Sequence, residues 1–144
     1  FGPTAFLQMD AQRLPEGQQH DPADSPESEL MGFAIQSDPA ATARADPTGY
    51  VSASSPPVWI AHGTADPNVP HQQSELLFAA YERAGATASL TLVTGAGHTD
   101  GYLSGGAPER VVRTTTGGAT SEGSDPDPTY DAVLAFLQEQ LGRG

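Results

Sequence analysis

Two loops dominate this chain, each following a short apolar run and separated from the other by a single helix-length segment. Val58-Trp59-Ile60-Ala61 leads into His62-Gly63-Thr64-Ala65-Asp66-Pro67-Asn68-Val69-Pro70, and Leu90-Thr91-Leu92-Val93 leads into Thr94-Gly95-Ala96-Gly97-His98. Between them, Ser74 to Ala84 carries Leu76, Leu77, Ala80 and Tyr81 at helical spacing, with Glu75, Glu82 and Arg83 on the wet side and Gly85 as a stop. Strand, helix, strand in this order is a right-handed βαβ unit, so the chain belongs to the α/β class with parallel strands at its centre. Functional groups in such sheets gather beyond the carboxyl ends of the strands. Asp66 and His98 both lie there.

An aspartate and a histidine brought together in this way can share a proton-transfer task. The imidazole accepts and returns a proton near neutral pH, while the carboxylate fixes its tautomer and stabilises the imidazolium. Glycines around His98 suit a tight loop that projects the ring into a site. His62, ending the first strand, is expected to be structural and to bond the backbone of the loop carrying Asp66. His71 is expected at the surface, and His20 sits in a polar stretch without ligand spacing. Trp59 reads as core. Asp100, two residues past His98, is the weaker candidate for the acid because it lacks the strand-end position of Asp66. Asp125-Pro126-Asp127 lacks the alternating oxygen ligands and the fixed glycine of a calcium loop, so neither a metal nor a cofactor is expected.

The segment HGxxDxxVP followed by GAGH resembles the α/β-hydrolase superfamily, in particular its esterase and peptidase branches. The resemblance implies that Asp66 is the triad acid and His98 the triad base. In that superfamily the nucleophile precedes both along the chain, on a G-x-S-x-G elbow. No such elbow is present: Ser52, Ser54 and Ser55 lie in Val51-Ser52-Ala53-Ser54-Ser55-Pro56-Pro57, without flanking glycines. The chain therefore resembles the C-terminal part of an α/β-hydrolase fold, its last parallel strands and helices, with the nucleophile-bearing half absent. The opening Phe1-Gly2-Pro3-Thr4-Ala5-Phe6-Leu7 is similar to the segment that follows the elbow helix and its strand, and Ser25-Pro26-Glu27-Ser28-Glu29-Leu30-Met31-Gly32 continues the likeness. Relatives often carry aspartate where this chain has Ala5.

What the resemblance implies is a serine carboxylesterase acting through an acyl-enzyme on esters of small acyl or aromatic acids, similar to feruloyl and acetylxylan esterases. The implied partner is the N-terminal half of the same hydrolase, supplying the nucleophilic serine, the oxyanion donors and the central strands. This chain alone is expected to be inactive. A serine peptidase of the prolyl oligopeptidase branch shares the Asp66 and His98 motifs, and a non-catalytic fragment acting as an interaction module is the reading from outside enzymology.

Two regions are expected. Residues 1–56 are rich in Pro, Asp and Ser and form an irregular, cap-like or crossover segment over the active-site face; residues 57–144 carry the acid and histidine loops. Ser25 and Asp38 are predicted N-caps of two short helices, each followed by proline, with Glu29 closing a capping-box-like pattern and Gly32 ending the first. Ser104 to Ser124 is either a mobile loop or a small hairpin. Tyr130 to Leu141 reads as a terminal helix packed on the sheet through Tyr130, Val133, Leu134, Leu137 and Leu141.

Eighteen acidic residues against six arginines and no lysine leave a formal charge of −12, which disfavours nucleic acid and anionic membranes as partners. Two readings account for that excess, a coding bias or a surface suited to high salt, and neither identifies a substrate. Absence of cysteine excludes disulfides and thiolate chemistry. The start at Phe1, without an initiator methionine or a signal pattern, is what removal of upstream sequence would leave, and localisation is not encoded.

Overall fold

The computed structural model describes residues 2–106 and 108–142; Phe1 of the opening motif and Ala107 of the Ser/Gly-rich stretch lie outside the described residues. Strands β1 (Val58–Gly63) and β2 (Ala88–Val93) pair in parallel, with Ile60 opposite Leu90, and helix α4 (Gln72–Ala84) crosses between them. Ile60, Ala88, Leu90 and Leu92 point to one face of the sheet and pack on Phe78 of α4, with Leu77 and Tyr81 at the margin. Phe78, which is absent from the helical pattern Leu76, Leu77, Ala80 and Tyr81, is the α4 residue buried in that cluster. Gly85 ends α4 at φ 70°, the left-handed cap expected of a glycine there.

The rest of the sheet is antiparallel, which the reading of parallel strands alone had not anticipated. Residues Arg110–Thr116 form β3 and Ala119–Gly123 form β4, giving the order β1-β2-β3-β4. The expected loop or hairpin is thus a hairpin over these residues. Gly117 and Gly118 both take positive φ between the paired Thr116 and Ala119, a conformation that two glycines adopt at little cost. Arg113 ties the hairpin to α4 through Glu75 at 2.8 Å, and Thr120 bonds Glu82.

β1 is an edge strand among the described residues. The Val58 N–H donates to the Thr87 carbonyl and the Thr64 N–H to the Val93 carbonyl, so the even-numbered backbone groups face β2. By the period of two, the N–H and C=O of Trp59 and Ala61 point to the outer edge. A cavity of about 420 Å³ opens along it, lined by Trp59, Ala61, Tyr102, Leu103, Val133 and the Gly2–Thr4 strap, among others. Trp59 is only partly buried, at the margin of the cluster formed by Ala61, Val93 and Tyr102.

Helix α5 (Tyr130–Leu141) occurs where expected, capped by Thr129, but of the five residues expected to pack inward only Val133 is half-buried. Its half-buried residues are Ala132, Val133, Phe136 and Gln140, whereas Tyr130, Leu134 (53% exposed), Leu137 and Leu141 (81%) face outward. The helix has two apolar stripes, and spacing alone favoured the longer one.

Residues 6–50 form short elements: a 3₁₀ turn at Phe6–Gln8, α1 (Met9–Gln12), α2 (Pro26–Met31), α3 (Pro39–Ala43) and a second 3₁₀ turn at Pro47–Tyr50. Ser25 and Asp38 cap α2 and α3, accepting from the Ser28 and Ala41 N–H groups. The expected capping box does not form: Glu29 is one position too late to reach back, and the Ser25 N–H donates to the Pro22 carbonyl while the Ser25 and Ser28 hydroxyls bond each other at 3.0 Å. Phe6, Met9 and Ile35 pack on Val69 of the acid loop, and the Gln18 N–H donates to the Pro67 carbonyl. His20, unremarkable in sequence, is fully buried with its Nδ1 3.1 Å from Glu27 Oε2.

Gln73 welds the opening segment to α4. Its Oε1 accepts from the N–H groups of Thr4 (2.8 Å) and Ala5 (2.7 Å), and its Nε2 donates to Gln12 Oε1 and the Ala5 carbonyl. The segment is thereby anchored although its fifth residue is alanine. Gln73→Ala strands two buried N–H donors and is expected to lower stability by about 2–4 kcal/mol in urea unfolding; a loss within the error of the measurement would mean that the strap does not depend on this side chain.

Candidate active site

The two loops meet at the carboxyl ends of β1 and β2. Asp66 is 2% exposed, and all four donors around its carboxylate come from the motifs themselves. Oδ1 accepts from the N–H groups of Asn68 (2.8 Å) and Val69 (2.9 Å), closing the turn that follows it. Oδ2 accepts from His98 Nδ1 at 2.8 Å and from His62 Nε2 at 3.1 Å. Sequence reasoning paired Asp66 with His98, and the structure brings them into direct contact.

Electrostatics keep that carboxylate charged. Burial pushes the Asp66 carboxyl up, but the Val69 N–H, His98 and the Asn68 N–H outweigh it and hold the group below its ordinary value. The His98 side chain is about one-third exposed. With Nδ1 committed to Asp66, proton exchange at the ring runs through Nε2, the arrangement a general base requires.

His62 does what was expected and more. Its Nε2 also approaches the Val69 carbonyl at 3.0 Å, which bonds it to the acid loop's backbone; in addition its Nδ1 meets Ser74 Oγ of α4 at 2.7 Å. Two acceptors at Nε2 require the proton there, so Nδ1 accepts from the serine. Burial drives the His62 ring below its ordinary 6.5, against the opposing pull of the Val69 carbonyl and Asp66, so it stays neutral. His71 is half-buried, 3.9 Å from Glu75. Asp100 turns away from the dyad's service and accepts from Tyr130 Oη at 2.8 Å. Asp125 and Asp127 pair with Arg110, and no cluster of potential metal ligands occurs among the described residues.

One positioning residue, Gly63, and one buried neighbour of the site, Tyr102, are not singled out by the sequence pattern. Gly63 lies beneath the histidine loop: a Cβ there would overlap the carbonyl of Ala96 and come within 2.7 Å of the Gly97 oxygen. That close approach lets the Ala65 N–H reach the Ala96 carbonyl at 2.9 Å, tying the two loops together. Its signal was a glycine directly before the acid loop. Tyr102, in the turn after His98, is buried and pushed up to about 12 by burial and by the charges of Asp66 and Asp100.

The comparisons place this sheet in the α/β-hydrolase class. The family model BD-FAE, an α/β-hydrolase-type esterase domain, matches residues 1–81, more than half of the chain, with Asp66 inside the match and His98 beyond it. The chain belongs to this esterase family. Among solved structures it is similar to a truncated form of a carbohydrate esterase from gut microbiota, with a TM-score of 0.68 and 27% identity over 96% of this chain. The chain spans 40% of the length of that protein. A search of curated proteins gives no match.

Gly63→Ala is expected to push the histidine loop off Asp66 and to shift the His98 ring resonances in NMR; unchanged His98 resonances would show that the loop relaxes without moving the ring. The pH dependence of stability follows from the depressed groups. His62 and Asp66 both bind their protons more weakly when folded, so their contributions are complete above 6.5 and 3.8 respectively and are lost as pH falls through the folded values. Thermal midpoints should therefore decline first below pH 6.5, and His62→Gln should flatten that first limb; equal slopes in the two proteins would remove His62 as its cause.

Proposed function

We propose that this chain carries the acid and the base of a serine carboxylic-ester hydrolase whose nucleophile lies elsewhere in the full-length protein. The observation that carries the reading is the 2.8 Å contact between His98 Nδ1 and the buried, ionised Asp66. In this mechanism His98 Nε2 takes the hydroxyl proton of the serine as its oxygen attacks the ester carbonyl. Asp66 stabilises the imidazolium, which then protonates the departing alcohol. Water attacks the acyl-serine by the same route, giving the acid and restoring both groups. Family membership and the carbohydrate esterase neighbour favour an ester, carried on a saccharide, over a peptide bond.

The nucleophile is assigned outside this chain because no G-x-S-x-G is present, and Ser74, buried in α4, already serves His62. The outer edge of β1, the cavity beside it and the outward stripe of α5 are surfaces that a preceding half of the sheet would cover, and polar backbone at such an edge needs a partner. An interaction module without catalysis would have no use for a four-donor acid aligned on an exposed imidazole.

In the full-length enzyme, His98→Ala is expected to lower kcat by several orders of magnitude and Asp66→Asn by about 10⁴-fold, with binding of substrate little affected. A serine-directed fluorophosphonate should label the full-length protein upstream of this chain and leave residues 1–144, expressed alone, unmodified. Labelling of a serine within the 144 residues would overturn the division of the triad, and undiminished turnover in either variant would remove that residue from it.

A further inference from the structure

Asp66 Oδ2 accepts from two histidines, and only one of them is needed for the proton transfer described above. We infer that His62 is a positioning residue that acts through Asp66: by drawing on the same carboxylate oxygen, it sets how tightly His98 holds its proton. This inference rests on the reading of His98 as the base and extends it by one residue and one helix. The geometry is a chain of short contacts running inward from the site. His98 Nδ1 lies 2.8 Å from Asp66 Oδ2, that oxygen lies 3.1 Å from His62 Nε2, and His62 Nδ1 lies 2.7 Å from Ser74 Oγ. His62 and Ser74 are buried, so water does not compete for these bonds.

The physical consequence has a definite sign. A carboxylate oxygen that accepts two donors concentrates less charge on either than one that accepts a single donor. The neutral donor His62 thereby weakens the hold of Asp66 on the imidazolium form of His98, and the base is freed of its proton at a lower pH. Ser74 contributes from behind. Donation into Nδ1 polarises the ring and makes Nε2–H the better donor, as hydrogen bonds in series do in a low-dielectric interior. The Val69 carbonyl at Nε2 holds the same tautomer from the other side.

The ionisable surroundings are few. The acid loop brings Asp66, and the loop after β2 brings His98 and Asp100. The turn beyond it brings Tyr102, whose buried hydroxyl feels both aspartates. In the first turn of α4, His71 and Glu75 lie near each other at 3.9 Å. Of these groups, Asp66 is the one that bonds both rings through a single oxygen.

The experiment compares His62→Gln, His62→Met and Ser74→Ala with the parent in the full-length protein. It reads the pH dependence of kcat/KM on an ester and, independently, the ring titration of His98 by NMR. Gln retains an N–H donor toward Asp66, whereas Met has similar bulk and none. His62→Met is expected to move the acid limb and the His98 midpoint upward by about 0.5 pH unit, the size expected when one modest hydrogen bond is lost. Ser74→Ala is expected to move them in the same direction by less, and His62→Gln to leave both near the parent. If the Met variant does not fold, the ordering of Ser74→Ala above Gln still decides. Loss of thermal stability in Met or Ser74→Ala without movement of the His98 midpoint, or equal displacement by Gln and Met, would overturn the inference. The NMR midpoint reads the coupling with or without turnover. A protein whose activity ignores His98 would therefore refute the esterase mechanism and leave this test standing on its own.

Discussion

Everything at the carboxyl end of this sheet is arranged around one buried carboxylate. Asp66 is inaccessible to solvent and would be costly as an isolated charge, since an unpaired buried ion loses its hydration without return. Its two oxygens are instead met by two backbone N–H groups of its own turn and by two imidazole rings, one from the end of β1 and one from the loop after β2. Those bonds make the charge tolerable and also carry out three structural tasks. They close the turn into α4, hold the end of β1 through His62, and orient His98 from the neighbouring strand. Removing the carboxylate would release all three at once.

The opening residues bear on the site indirectly. Val69, on the loop that Asp66 closes, is buried among Phe6, Met9 and Ile35, and the Pro67 carbonyl takes the Gln18 N–H. The first part of the chain therefore braces the acid loop from one side while α4 and Ser74 brace it from the other. Gln73 and Ser74, adjacent on α4, divide the work: one holds the strap at Thr4 and Ala5, the other holds His62.

Much of this was legible in the residues. The alternation of apolar run, acid loop, helix, apolar run and glycine-flanked histidine specified β1, α4, β2 and the pairing of Asp66 with His98, because each step has a local physical signature. Caps were equally plain, since Ser25 and Asp38 each precede a proline that cannot continue upstream structure. What remained hidden depended on distance through space. Gly63 shows in the sequence as a glycine before the acid loop, but the reason for it, the backbone of Ala96 more than thirty residues later, is not local. The second stripe of α5 was invisible because both stripes have helical spacing, and spacing does not say which of them turns inward. The burial of His20 beside Glu27 belongs to the same class. Polar residues without periodicity leave no mark of the pocket that encloses them.

The central claim is that an ionised Asp66 holds the proton on His98 Nδ1 and thereby leaves Nε2 for chemistry. Proton NMR of the full-length protein with ¹⁵N-labelled histidine tests it most directly. A far-downfield, nitrogen-bound proton on His98 Nδ1 that vanishes or moves upfield in Asp66→Asn is the result this structure requires. A wild-type protein in which the His98 proton resides on Nε2, or in which Nδ1–H is unaffected by Asp66→Asn, would contradict it.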